Sequence, residues 1–241
     1  MMVAPTMMDS TKALKSLRRL LMKYKAIIFD LDGTIVDSDQ IWTQVNREVL
    51  SSKGFTLSDK LKKELNCKLR GAGLPKGCQI IKEVANLPES IEDLVKEKQE
   101  KASKLYLEGI TFIRGFLPFH NKIQKTKLKY GIATNADDLT LDATKTKLKL
   151  SSLFGKHIYN ITSVNNVFKP KPDLYIYAAK QLDVAPHECI AIEDSQDGVR
   201  AAKEAGMFCI GINSSGVREN IKDADFIIDS YDEIDLDRLL K

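Results

Sequence analysis

Disulfide frameworks, zinc centres and membrane spans are all poorly provided for in this chain. Its 241 residues include four cysteines, Cys67, Cys78, Cys189 and Cys209. No two have a CxxC spacing, and Cys189 and Cys209 fall in apolar, strand-like runs, so the pattern is that of buried free thiols in a reducing compartment, the cytoplasm. The three histidines, His120, His157 and His187, stand far apart and lack the spacing of zinc ligands. No apolar run approaches the roughly 20 residues needed to cross a bilayer, so no membrane partner is expected.

Charge of one sign is also scarce. Lys and Arg number 37 against 33 Asp and Glu, a net charge of +4 spread over the chain. The densest basic runs, Lys122 to Lys129 and Lys145 to Lys149, lie on predicted helices without the interleaved aromatics that stack bases. They read as solvated faces, and no nucleic-acid polymer is expected as a partner. Residues 1–22 carry Lys12, Lys15, Arg18 and Arg19 beside Leu14, Leu17, Leu20 and Leu21, a basic amphipathic stretch similar to a transit peptide. Asp9 and the absence of an Arg- and Ser-rich composition argue for a simple N-terminal extension instead.

From Tyr24 onward, short β-branched or aromatic runs alternate with segments of helical period, the signature of strands joined by crossover helices. The predicted strands are Lys25 to Leu31, Tyr130 to Thr134, His157 to Thr162, Cys189 to Ile192, Phe208 to Ile212 and Phe226 to Ile228. Helices are predicted from Pro172, with Leu174, Tyr177, Ala178 and Leu182 on one face, and from near Asp197 to Gly206. This is a doubly wound, Rossmann-like parallel α/β sheet. The first two strands are separated by about 100 residues, far more than one crossover helix requires. Helices are expected there at Ile41 to Lys53, Leu57 to Cys67, Pro75 to Ala85 and Ile91 to Leu107. The chain therefore divides into an extension (1–22), a core (23–38 and 109–241) and an inserted helical cap (39–108).

The first strand runs into Asp30-Leu31-Asp32-Gly33-Thr34. In a doubly wound sheet the carboxyl end of a strand opens onto the ligand crevice. Asp30 and Asp32, one residue apart, would point the same way from an extended backbone, and Gly33 permits the turn beyond. Two acids brought together are costly unless a cation joins them, and hard oxygen ligands favour Mg2+. A carboxylate can then attack phosphorus, while a second acid protonates the leaving oxygen and later activates water. Asp30 takes the first role and Asp32 the second.

These residues resemble the first signature of the haloacid dehalogenase superfamily, Asp-x-Asp-Gly-Thr after an apolar strand, and the resemblance extends over nearly all of the chain after Met22. It implies that Thr134, ending the run Gly131-Ile132-Ala133-Thr134-Asn135, holds the phosphate with the amide beyond it at Asn135. It implies that Lys169, in Lys169-Pro170-Lys171-Pro172-Asp173, offsets the carboxylates. It further implies that Asp194, with Glu193 beside it in Ile192-Glu193-Asp194-Ser195-Gln196-Asp197-Gly198, joins Asp30 and Asp32 around Mg2+. Asp197 is expected to cap the helix that follows. Phe168 departs from the Gly usual before this Lys, and Asp39 stands where Glu is common.

Dehalogenases have no alkoxide to protonate and typically lack the second acid, so Asp32 argues for phosphoryl transfer. Thr34 stands where related sugar-phosphate mutases often carry Val, which favours hydrolysis. The expected ligand is a small phosphate monoester: a sugar, polyol, glycolate or nucleotide phosphate. Arg70 to Gly73 forms a glycine-containing cap loop suited to substrate selection, with Arg70 and Gly71 as contacts. Trp42 and Phe55 are expected to pack the cap. A phosphosugar mutase, or a non-catalytic binding protein on the same fold, is the alternative.

Overall fold

A computed structural model describes residues 24–56, 58, 61, 64–65, 68–69, 73–234 and 236. Six parallel strands, β1 (Ala26–Phe29), β2 (Lys129–Thr134), β3 (Ile158–Asn160), β4 (Cys189–Glu193), β5 (Phe208–Ile212) and β6 (Phe226–Ile228), form one sheet in the order β3-β2-β1-β4-β5-β6. The order reverses direction at β1. Phe29 is in register with Ile132 on one side and Ile192 on the other, so the carboxyl ends of β1, β2 and β4 open side by side.

The strands are apolar throughout because both faces of the sheet are covered. Ile27 and Phe29 enter one core with Ile190 and Ile192, while Ala26 and Ile28 enter the other with Cys189 and Ala191, which is the period-two alternation of a strand. The first core is aromatic: Phe29 meets Phe116, Phe119 and Phe154 edge-on, with ring centroids 5.8, 6.3 and 5.9 Å away. Truncating Phe29 to Ala would cost about 3–5 kcal/mol by the usual penalty for an emptied core site. His120 is buried among Phe116, Tyr130 and Phe154, a packing role. The second core is built from small residues, Ala178, Ala179, Ala201 and Ala202, which let helices α7 (Asp173–Gln181) and α8 (Gln196–Glu204) lie close to the sheet.

Between β1 and β2 the described residues form helices α1 (Asp39–Ser52), α2 (Leu74–Ala85), α3 (Ile91–Gly109) and α4 (Phe116–Ile123). The predicted helix Leu57 to Cys67 lies largely outside the described residues. The two connections into and out of α1–α3 run side by side: Asp37 N donates to Thr111 O (2.9 Å) and Ile113 N to Ile35 O (2.8 Å). Helix α3 then rests along α5 (Asp138–Leu148), whose buried Thr140 and Thr144 present small side chains. A short helix, α6 (Leu150–Phe154), precedes β3.

Three local expectations change. Lys125 and Lys127 lie in the turn after α4 and Lys129 opens β2, so that basic run is no helix face, although it is exposed. The cap of α8 is Ser195, whose Oγ accepts from Gly198 N (3.1 Å), and Asp197 instead pairs with Lys76 of α2 (3.0 Å). Trp42 lines a cavity rather than only packing. Cys78, Cys189 and Cys209 are buried free thiols, and among the described residues no helix is long and apolar enough to cross a membrane.

Candidate active site

β1 ends at Phe29; Asp30 N still donates to Ile192 O (2.9 Å), Asp32 lies just beyond in a bridge to Val36, and both acids line the same crevice with different partners. Asp30 turns into the crevice between strand ends. Lys169 Nζ donates to Asp30 Oδ1 (2.7 Å) and to Glu193 Oε1 (2.6 Å), with Lys169 4 % and Glu193 0 % exposed. Tyr175 OH also donates to Glu193 Oε1 (2.7 Å), and Ser195 Oγ reaches Glu193 Oε2 (3.2 Å). A peptide bond in the cis form joins Lys169 to Pro170.

Asp30, Glu193 and Asp194 each bring a carboxylate oxygen within 4.8 Å of the others. Two glycines make that approach possible. A Cβ on Gly33, whose φ is +80°, would stand 2.2 Å from Asp194 Oδ2, and one on Gly198 would stand 2.0 Å from the Glu193 carboxylate. Burial pushes the Asp30 carboxyl up to about 7, against the pull of Lys169 and with the push of Glu193. Burial also works against the Lys169 ammonium, but Asp30 and Glu193 outweigh it and hold its pKa above the usual lysine value. Three convergent carboxylates supply hard oxygen donors, the ligand type that fits a divalent cation such as Mg2+.

Asp32 is outside this set of three. Tyr106 of α3 donates its hydroxyl to Asp32 Oδ1, tying the acid to the helical insertion. Burial raises the Asp32 pKa, hydrogen bonds from Tyr106, Ser38 and Trp42 lower it, and the Asp137 charge raises it. Thr134 Oγ1, buried, accepts from Ala136 N (3.0 Å), and Asn135 Oδ1 accepts from Lys169 N (2.9 Å), so Asn135 sets the loop that carries the lysine.

Asp30, Asp32, Thr134, Asn135, Lys169, Asp194 and Ser195 line one cavity of about 170 Å3, with Trp42, Asn46, Gly73, Lys98, Asp137 and Thr140 on its other walls. Arg70 and Gly71 lie outside the described residues; Gly73 is described, and the Phe168 ring rests against it. Lys98 and Asn46 were not anticipated. Lys98 is 3 % exposed, its Nζ stands 5.7 Å from the Trp42 ring centroid, and burial draws its pKa down to about 8. It occupies the buried stripe Leu94, Lys98, Ala102, Tyr106 of α3, and a lone lysine on an apolar i, i+4 stripe is the signal that could have found it.

The chain resembles proteins of known kind over most of its length. It is 25% identical over 183 residues to "Phosphorylated carbohydrates phosphatase" of Thermotoga maritima, spanning 76% of this chain and 82% of that protein. It is 25% identical to Hexitol phosphatase A of Escherichia coli, spanning 88% of this chain and 94% of that one. The crystal structure of a beta-phosphoglucomutase from Clostridium difficile superposes with a TM-score of 0.75 at 25% identity, covering 90% of this chain and 97% of the other. The sequence pattern of the haloacid dehalogenase-like hydrolases matches residues 27–212, a span that holds every site residue named above, and the chain belongs to that family.

Proposed function

We propose that this hydrolase is a Mg2+-dependent phosphatase acting on a small sugar or polyol monophosphate through an aspartyl phosphate on Asp30. The observation that carries the reading is the buried Asp30–Lys169–Glu193–Asp194 cluster at the floor of a small cavity, with a second acid, Asp32, held separately by Tyr106. The phosphatase relatives support the substrate class.

In the proposed chemistry Asp30 Oδ attacks phosphorus while the bond to the leaving oxygen breaks and Asp32 delivers a proton to that oxygen. Water then attacks the phosphorus of the aspartyl phosphate, Asp32 takes its proton, and Asp30 is released. Lys169 keeps Asp30 ionised for attack and offsets charge on the transferring group, and Thr134 with the amide beyond it grips the phosphate oxygens. Asp30 and Asp194 would hold Mg2+, with Glu193 behind them because its oxygens already serve Lys169, Tyr175 and Ser195. When bound, the cation supplies charge that lets an anionic phosphate approach anionic carboxylates. Residues 39–108 act as a cap over the core (23–38 and 109–241), excluding bulk water from the cavity.

The test is phosphate release from a panel of monoesters with and without Mg2+, beside Asp30→Asn. Release that requires Mg2+ and falls by at least about 10³-fold in the variant supports the reading. Isomerisation of a hexose phosphate without net release would replace it with a mutase, and silence in both assays would point to a binding protein.

A further inference from the structure

Two polar groups in the cavity wall have no direct part in the proposed chemistry. Asn46, on the buried face of α1, is 6 % exposed, and its Oδ1 has no hydrogen-bond partner among the described residues. A buried acceptor left without a donor is destabilising, so its persistence in a cavity wall points to a ligand donor. The second group is Asp137, half-buried where β2 gives way to α5. Its Oδ1 accepts from Leu139 N (2.9 Å) and Thr140 N (3.1 Å), and its Oδ2 from Thr140 Oγ1 (2.9 Å).

That arrangement decides what the wall can receive. The N-terminus of an 11-residue helix beside the catalytic strand ends is where a second phosphate would otherwise find backbone donors. Here a carboxylate of the protein already fills the position and presents negative charge to the cavity. Asn46 Oδ1 and the Asp137 carboxylate are both acceptors, which hydroxyl groups satisfy and phosphate or carboxylate oxygens do not. Lys98, on the α3 wall, adds a donor for the same hydroxyls.

Resting on the phosphatase reading, we infer that Asn46 and Asp137 are specificity-determining residues that select a hydroxyl-rich leaving group without a second anionic group. Asn46 contributes attraction through an acceptor that only a donor relieves. Asp137 contributes repulsion, the part of specificity that rejects the wrong ligand.

The experiment compares kcat/KM for a hexitol monophosphate, the corresponding hexose bisphosphate and p-nitrophenyl phosphate, with Mg2+ present. The native protein should prefer the hexitol ester over the bisphosphate by at least about tenfold, the scale of a like-charge penalty. In Asp137→Asn, which keeps a capping side chain, that ratio should fall several-fold. In Asn46→Leu the ratio of hexitol ester to p-nitrophenyl phosphate should fall by about tenfold, because the hydroxyl loses its acceptor. Asp138→Asn removes the same charge one residue away, where the side chain binds Asn160 Nδ2 (2.7 Å), and should leave both ratios unchanged. A bisphosphate turned over as well as the monophosphate, by way of Lys98, would overturn the inference. So would ratios that neither variant moves, or an Asp138→Asn effect equal to that of Asp137→Asn. Release of phosphate without discrimination defeats only this inference, whereas no release from any ester defeats the phosphatase reading with it.

Discussion

The floor and the walls of the cavity are built on opposite terms. On the floor, Asp30, Lys169, Glu193, Tyr175 and Ser195 satisfy one another through charge-assisted contacts of 2.6–3.2 Å in nearly complete burial. On the walls, Asn46 keeps an acceptor without a partner, and the buried Lys98 Nζ stands over the Trp42 ring, 5.7 Å from its centroid, with burial drawing its pKa down. A group that must act on every substrate in the same way gains from being fixed before the substrate arrives. A group that must tell substrates apart has to keep its valence for them, and the structure carries the cost of leaving it open.

The contrast breaks most visibly at Lys169. Replacing it by Met leaves Asp30 and Glu193 buried and facing each other without their cation. Removing one partner of a buried ionic set costs about 3–5 kcal/mol, and losing the charge on the transferring phosphoryl group should lower kcat by about 10³-fold. Urea unfolding and phosphate release read the two losses separately. Adding Glu193→Gln to Lys169→Met should restore part of the stability and none of the activity, since one unpaired charge is gone and the catalytic lysine is still missing. A double variant as unstable as the single one would show that the floor is held by packing rather than by mutual neutralisation.

A smaller effect sharpens the same point through pH. An acid whose folded pKa stands near 7 against an unfolded value of 3.8 binds its proton more tightly when folded. Stability from this group is therefore full below about pH 4, declines as pH rises between the two values, and above about 7 the native state holds an ionised Asp30 at a cost. A cation bound beside Asp30 offsets that cost only where the carboxylate is ionised. The rise in Tm on adding Mg2+ should thus be larger at pH 8 than at pH 5.5, by about 2–4 °C, which corresponds to about 1 kcal/mol for a chain of this size. Asp30→Asn should flatten the difference. A rise that is independent of pH would locate the cation away from Asp30.

How far the sequence foretold each half follows from the same contrast. Asp30, Thr134, Glu193 and Asp194 sit at or just beyond strand ends, while Lys169 lies in the loop between β3 and α7; the residues themselves pointed to Asp30 and Asp32, and the family resemblance marked the others. What linear spacing could not convey was the hydrogen bond that ties Asp32 to Tyr106, 74 positions away. Wall residues come from helix faces. Asn46 lies among Val45, Val49 and Leu50, and Lys98 between Leu94 and Ala102, where a polar side chain on a buried stripe interrupts the pattern without saying what it faces. Asp137 caps α5 and nothing in the sequence singled it out; its second role depends on the cavity that only the packing of α1 and α3 over the strand ends creates.

The smallest expected effect concerns Thr34, which lies on the floor side yet behaves unlike it. Thr34 is fully buried, its carbonyl accepts from Tyr231 OH (3.1 Å), and its Oγ1 has no partner among the described residues. As a choice of Thr over Val it suggested hydrolysis, but a hydroxyl that touches no polar group has no evident means of directing a reaction. Val has the same branched shape and χ1 restriction without the stranded oxygen. Thr34→Val should therefore raise stability by about 1 kcal/mol, about 2–4 °C in Tm, and leave kcat/KM within about twofold, with no isomerase activity gained. A loss of stability would mean that the hydroxyl has a partner in solution. A tenfold fall in phosphate release would mean that open valences serve the chemistry as well as the recognition, and the division between floor and walls would have to be redrawn around Thr34.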